Sequence, residues 1–237
     1  MAILSDIHVG AVHFEEKFFI WVVDYLVKNK IPCILNGDLI ENAIISGGAA
    51  GEKLLDQAYF PTEQIKYFIH MFKPLAKAGL LFFSTRGNHD ARTRREALLD
   101  ISDLMANWLE IPYYGIGGYV SVEVAGERFL GAVQHGKGGG ANPYTELDKM
   151  VKVYPKAEFV ALGHNHQLCT RKVHHFDVDD DGYEVKRTTH QIRTGSYLGY
   201  ADYVRDMMAG PADCGSPIIE FDAKKHKISV DINTLTI

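Results

Sequence analysis

The chain has 237 residues, 46% hydrophobic and 23% charged, with a formal charge of −5 when histidine is neutral. These proportions exclude a disordered segment and a collagen-like or coiled-coil rod, and the charge excludes a strongly basic coat for nucleic acid. The longest apolar runs, such as 18–23, are far short of the about 20 residues a membrane helix needs. The first ten residues carry Asp6 and His8 and lack the basic start and apolar stretch of a signal peptide, so a cytoplasmic protein with no membrane partner is expected.

At about 150 residues per domain the length allows one or two domains. No repeat, low-complexity tract or long linker divides it, so a single domain over 1–237 is expected. Cys33, Cys169 and Cys214 are odd in number and far apart, and they read as thiol core fillers in a reducing compartment.

Taken in chain order, Ile3 to Ser5 reads as a short strand. Phe18, Trp21, Val22, Tyr25 and Leu26 recur at helical spacing, which predicts a helix over about 14–30 with one buried face. Cys33 to Asn36 is the next strand. Pro61 can open a helix at its first position, and Ile65, Phe68, Ile69 and Phe72 continue its apolar stripe. Leu80 to Ser84 is a third strand, and Leu98, Ile101, Met105 and Trp108 are expected on a later helix. The second half is richer in β signals. Tyr119 to Val124 and Arg128 to Gln134 flank Gly126-Glu127 as a hairpin, and Glu158 to Leu162 is a strand. The stretches 168–176 and 183–193 form another hairpin, and Ile218 to Asp222 with Ile228 to Ile232 a closing one. Strands with crossover helices followed by hairpins predict an α/β fold, with two sheets face to face and helices outside.

Polar residues gather where the apolar strands stop: Asp6 and His8, Asp38, Asn88 and His89, His135, and His164 and His166. Ligands of open α/β sheets bind beyond the carboxyl ends of strands, where loops converge. Carboxylates, imidazoles and an amide from distant strand ends therefore describe a metal site. Imidazole with carboxylate suits Mn, Fe or Zn, and no thiolate is offered. The candidates are too many for one tetrahedral ion. Two ions sharing a carboxylate fit better, in the arrangement that clamps both oxygens of an in-line phosphoryl displacement.

The blocks Asp6-x-His8, Gly37-Asp38, Gly87-Asn88-His89-Asp90, His135-Gly136 and Gly163-His164-Asn165-His166 resemble, in order, those of the calcineurin-like metallophosphoesterases. Any one block is weak, but five in order are specific. The resemblance implies a four-layer α/β/β/α sandwich of two mixed sheets flanked by helices. It implies one divalent ion on Asp6, His8, Asp38 and His166 and a second on Asp38, Asn88, His135 and His164, with Mn favoured and Fe, Zn or Mg compatible. Asp38 would bridge, with a bridging water or hydroxide as nucleophile. His89 would be the catalytic group near the leaving oxygen, its acid strength needing help from a nearby acidic group; Asp90 is its sequence neighbour. Asp38 is followed by Leu39-Ile40-Glu41 rather than Asp-Arg-Gly, and the later block ends in Asp90 rather than Glu. That is similar to the phosphodiesterase and nuclease side, including the Mre11/SbcD repair nucleases, more than to the phosphoprotein phosphatases. The expected substrate is nucleic acid or a nucleotide. A phosphomonoesterase or nucleotidase is the alternative, and a catalytically silent scaffold ranks low because every ligand position and His89 are present.

Beyond these blocks, Arg92, Arg94 and Lys137 are candidate substrate contacts, with Arg92, Arg94 and Arg95 balanced between a phosphate contact and a solvated helix start. Arg171, Lys172, Arg187 and Arg193 are expected on the outer face of a hairpin. The glycine-rich loop 136–140 lacks the spacing and the Ser/Thr of a P-loop. Asp177-x-Asp179-x-Asp181-Gly182 lacks the twelfth-position Glu of a calcium loop and reads as a hairpin turn. Tyr197, Tyr200 and Tyr203 read as packing residues.

Overall fold

The computed structural model describes residues 1–44, 57–137, 142–199 and 213–237. The first sheet takes β1 (Ala2–Leu4), β2 (Cys33–Asn36) and β3 (Leu81–Thr85) in parallel, and adds β9 (Ile218–Asp222) and β10 (Lys227–Asp231) antiparallel beside β1, in the order β10-β9-β1-β2-β3. The second sheet has the order β4-β5-β6-β8-β7. Its members are β4 (Gly118–Val124), β5 (Glu127–Gln134), β6 (Phe159–Leu162), β7 (Leu168–Val178) and β8 (Glu184–Thr194), and β5, β6 and β8 are parallel at its centre.

Three hydrophobic cores separate four layers. Ala2 and Leu4 of β1 and Cys33 and Leu35 of β2 face α1 (Glu16–Lys28) and α2 (Pro61–Lys77). The alternate residues Ile3 and Ile34 face the second sheet, where they meet Val133, Phe159 and Ala161. On that sheet's far side Ala132, Val160 and Leu162 pack on Leu147 and Met150 of α5 (Thr145–Val153). A strand buried on both faces reads as an unbroken apolar run, which is why 2–4, 33–35 and 159–162 carry no polar alternation. The result is the four-layer α/β/β/α sandwich of two mixed sheets.

One helical expectation is corrected. Leu98 is not on the helix of Ile101 and Met105. It is the left-handed cap (φ 55°) of a separate α3 (Ala91–Ala97) and is 91% exposed. The next helix, α4 (Ile101–Trp108), buries Ile101 and Met105 but leaves Trp108 exposed. The helix α5 was not anticipated, because it buries only Leu147 and Met150 and its apolar stripe is too thin to read.

Candidate metal centre

The parallel strands β1, β2, β3, β5 and β6 end at one edge of the sandwich, and each is followed within a few residues by one of the polar blocks. The turn out of each strand is tight. Asp6 (φ 50°), His8 (φ 52°), Asp38 (φ 49°), His164 (φ 77°) and His166 (φ 58°) all adopt the left-handed region. Non-glycine residues rarely do so, and each costs of order 1–3 kcal/mol that the surrounding structure must offset. Backbone bonds supply that support: Asp6 N–H donates to Gly37 O (3.1 Å), and Ile7 N–H to Asp38 O (2.9 Å). Glycine is required beside the carboxylates. A Cβ on Gly87 would lie 2.0 Å from Asp38 Oδ1, and one on Gly163 would lie 2.6 Å from Asp6 Oδ2.

Three groups of donor atoms result. Asp6, His8 and His166 converge in the first, Asp38, His135 and His164 in the second, and His8, Glu41 and His89 form a third at the rim. His166 Nε2 is 3.3 Å from Asp6 Oδ1, and His135 Nε2 is 3.2 Å from Asp38 Oδ2 and 3.2 Å from Asn88 Oδ1. His8 Nε2 lies 3.8 Å from Asp38 Oδ2, which places Asp38 between the first two groups. Ser5 Oγ donates to Asp6 Oδ2 (2.6 Å), His164 N–H to both Asp6 oxygens (3.0 Å), and His89 N–H to Asp38 Oδ1 (2.7 Å).

These residues fit divalent cations. His135 Nδ1–H donates to Asn36 O (2.8 Å), so its Nε2 lone pair faces Asp38 and Asn88 oxygens. Lone pair against lone pair is repulsive unless a proton or a cation lies between them. His8 Nδ1–H likewise donates to Glu41 Oε2 (2.8 Å), leaving Nε2 buried and unpartnered, as is Nδ1 of His164. Such bonds on the far nitrogen fix the tautomer that presents a ligand. Burial alone would lower the His135 imidazolium, yet Asp38 and Asp6 outweigh it and push its pKa up to about 10. Burial would raise Asp6, but His135 and His166 hold it at about 2. Asp38 is held well below the usual carboxylate range by His135 and its neighbouring imidazoles, against the effect of burial. Without a cation the cluster balances its carboxylates with protons, and nitrogen and oxygen donors without thiolate suit hard or borderline metals.

His89 sits at the rim, its ring 4.4 Å from that of His8. Its Nδ1 contacts Glu41 O (3.0 Å) and lies 3.2 Å from Glu41 Oε1. Burial opposes the charged ring, but Glu41 and Asp38 prevail and raise its pKa. The acidic neighbour that His89 needs is thus Glu41, a residue the sequence reading did not single out. Asp90 turns away. It is fully buried and accepts the N–H groups of Gly87 (3.0 Å) and Leu39 (3.1 Å), which ties two site loops together.

Residues 1–168 match the calcineurin-like phosphoesterase family. The chain belongs to that family. No curated protein matches it. Among solved structures it is similar to a hypothetical protein from Pyrococcus horikoshii OT3, at 10% identity over 98% of this chain and 86% of that one, TM-score 0.49. It is similar to wild-type Vps29 complexed with Zn2+ from Entamoeba histolytica, at 11% identity over 97% and 96%, TM-score 0.42. A conserved uncharacterised protein (a predicted phosphoesterase) from Streptococcus pneumoniae TIGR4 is similar at 13% identity over 100% and 94%, TM-score 0.40.

The candidate substrate contacts of this calcineurin-like chain are placed unevenly. Arg92 is at the site, donating to Glu41 O (2.8 Å), with Nη2 3.0 Å from His89 Nε2. Arg94 points away, 3.6 Å from Asp100 and half exposed. Lys137 is exposed two residues past His135. Arg193 corrects the expectation of an outer face: it is 1% exposed, and it donates to Gly163 O (2.7 Å) and Glu146 Oε2 (2.9 Å), bracing the loop that carries His164. Arg171 and Arg187 do lie on the β7–β8 hairpin, paired with Asp148 and Asp177. Tyr197 is a packing residue, fully buried against Phe19. The acidic stretch is a hairpin turn, with Asp179 accepting from Asp181 N–H and Tyr183 N–H. Tyr200, Tyr203 and the glycines at 138–140 lie outside the described residues.

Proposed function

We propose that the chain hydrolyses phosphodiesters, of nucleic acid or of a nucleotide, with two divalent cations of which Mn is favoured. Asp6, His8, Asp38 and His166 would hold one, and Asp38, Asn88, His135 and His164 the other, with Asp38 shared. The observation that carries this reading is the pair of donor groups meeting at Asp38 with His89 beside them. Two bound cations supply Lewis acidity toward phosphoryl oxygens and a nucleophile from water near neutral pH.

The chain's own residues do the rest. Asn36 O and Glu41 fix the imidazoles of His135 and His8 with one nitrogen facing inward. His89 delivers a proton to the leaving oxygen, and Glu41 keeps it charged enough to do so. Arg92, 3.0 Å from His89 Nε2, would offer its guanidinium to a phosphate oxygen bound beside that ring.

Charge supports a diester over a monoester. A monoester is a dianion and asks for free guanidinium groups. Among the described residues those nearest the cluster are engaged, Arg92 by Glu41, Arg193 by Glu146 and Arg86 by Asp100. Placing the chain on the Mre11/SbcD-like side of the family is supported by Leu39-Ile40-Glu41 after Asp38, in place of Asp-Arg-Gly, and by Asp90 in place of Glu.

The test runs end-labelled DNA and RNA oligonucleotides with Mn2+, wild type beside His89→Ala, and compares bis(p-nitrophenyl) phosphate with p-nitrophenyl phosphate. Cleavage by wild type alone and a preference for the diester are expected. Intact oligonucleotides and faster monoester turnover would replace this reading with a nucleotidase.

A further inference from the structure

At the other end of the second sheet, where β6 begins, a concave pocket of about 700 Å3 opens between the β7–β8 hairpin and the β9–β10 turn. The strand from Glu158 to Gly163 separates it from the metal centre by about 17 Å at 3.3 Å per residue. Its charge bookkeeping differs from that of an ordinary surface. The carboxylates that line it are committed: Glu158 accepts from Leu130 N–H (2.9 Å) and pairs with His226 (2.9 Å), Asp179 holds the hairpin turn, and Asp180 faces Lys156 (3.7 Å). Lys172 of β7, Lys186 of β8 and Lys227 of β10 also line it, and none has a carboxylate within 4.0 Å among the described residues. At the pocket wall stands His190, paired across the ladder with Lys172; its residue surface is 7% exposed, and its ring nitrogens make no hydrogen bond among the described residues and open onto the pocket.

Three uncommitted ammonium groups from three strands, around an imidazole able to donate or accept, describe a receptor for clustered negative charge. Lysine serves as a point-charge partner for phosphate. The volume falls within the about 300–1,000 Å3 of small-molecule sites.

We propose that this pocket binds an oligophosphate, either free or as part of a nucleotide, at a site separate from the metal centre. Lys172, Lys186 and Lys227 would neutralise the phosphates, and His190 would hydrogen-bond one of their oxygens. Burial and Lys172 depress the pKa of His190 to about 4, so the free pocket holds a neutral ring with one donor and one acceptor.

The experiment titrates inorganic pyrophosphate, and separately ADP, into the full chain by calorimetry in excess chelator, which removes the metal-centre cations as a source of phosphate binding. One equivalent is expected to bind, with at least a tenfold loss in Lys172→Ala/Lys227→Ala and none in Lys77→Ala, on the exposed end of α2. In wild type the His190 ring nitrogens should shift in the NMR spectrum on addition of pyrophosphate. Tighter binding of ADP would assign the ligand as a nucleotide, and equal binding as the bare oligophosphate; both uphold the site. No heat at millimolar pyrophosphate, binding that survives the double variant, or equal competition by sulfate at matched ionic strength would overturn it.

Discussion

The two ends of the second sheet use charge in opposite ways. Where β5 and β6 finish, Asp6, Asp38 and His135 are almost wholly buried and every carboxylate is oriented by a backbone or side-chain donor. Where β6 begins, Lys172, Lys186 and Lys227 are exposed and have no carboxylate partner among the described residues, and the His190 ring opens onto the pocket they line. The first end is made by strained turns and missing side chains, so its geometry is set before anything binds. The second is made by strand register alone and leaves its charges free to follow a ligand. Rigidity follows from burial of paired charge, and adaptability from its absence.

The sharpest way to break the contrast is Gly87→Ala. The new Cβ would fall 2.0 Å from Asp38 Oδ1, so Asp38 must move. Loss of bound metal and of turnover to background is expected, with destabilisation of about 1–3 kcal/mol; metal analysis and a melting curve read both, and normal metal content would refute the argument. His89→Ala should lower turnover by about a hundred- to ten-thousand-fold while both ions stay bound, and a variant that also loses metal would place His89 among the ligands instead. Glu41→Gln removes the carboxylate that raises the His89 pKa, so the alkaline limb of the pH–rate profile should move to lower pH. An unmoved limb would detach Glu41 from His89.

The smallest effects are in pH-dependent stability, and their signs differ between the two ends. Without metal, His135 has its pKa raised from 6.5 to about 10, so its stabilisation is complete below 6.5 and is lost as pH rises toward 10. Thermal midpoints in chelator should fall over that window, and the gain from added Mn2+ should grow across it, because the cation displaces the His135 proton. At the other end His190 has its pKa lowered from 6.5 to about 4, so the unfolded chain binds more protons there and stability falls as pH drops from 6.5 toward 4. His190→Gln should lessen the acid-side fall without abolishing it, because burial also lowers the pKa of His8 and His164, and should leave the alkaline side unchanged. A flat profile in the wild type on either side would remove the corresponding assignment.

Much of this was legible in the residues. Strands buried on both faces show as the apolar runs at 33–35 and 159–162, and the polar residues at their ends lie together at one edge of the sandwich. What stayed hidden was second-order. Glu41 follows Leu39-Ile40 and looks like the solvent end of an apolar run. Only the left-handed turn at Asp38 folds it back onto His8 and His89. A carboxylate three residues beyond a site aspartate was the available signal. Arg193 was misread because β8 stops alternating, with 189–194 all buried between the other sheet and α5. Arginine in such a run has to find a partner, and Glu146 lies on the one helix whose apolar stripe was too thin to anticipate.

The donors at the metal centre come from both sheets, Asp6 and Asp38 from the first and His135 and His164 from the second, and Asn36 ties the two by donating to Gln134 O (2.9 Å). His164 lies 158 residues from the Asp6 carboxylate that its backbone caps. No nascent chain short of residue 166 carries every donor, and closing so long a loop comes late in folding. The capacity to bind metal therefore reports completed assembly of the sandwich. Any event that parts the two sheets, at whatever distance from the chemistry, should release the ions before it unfolds either sheet.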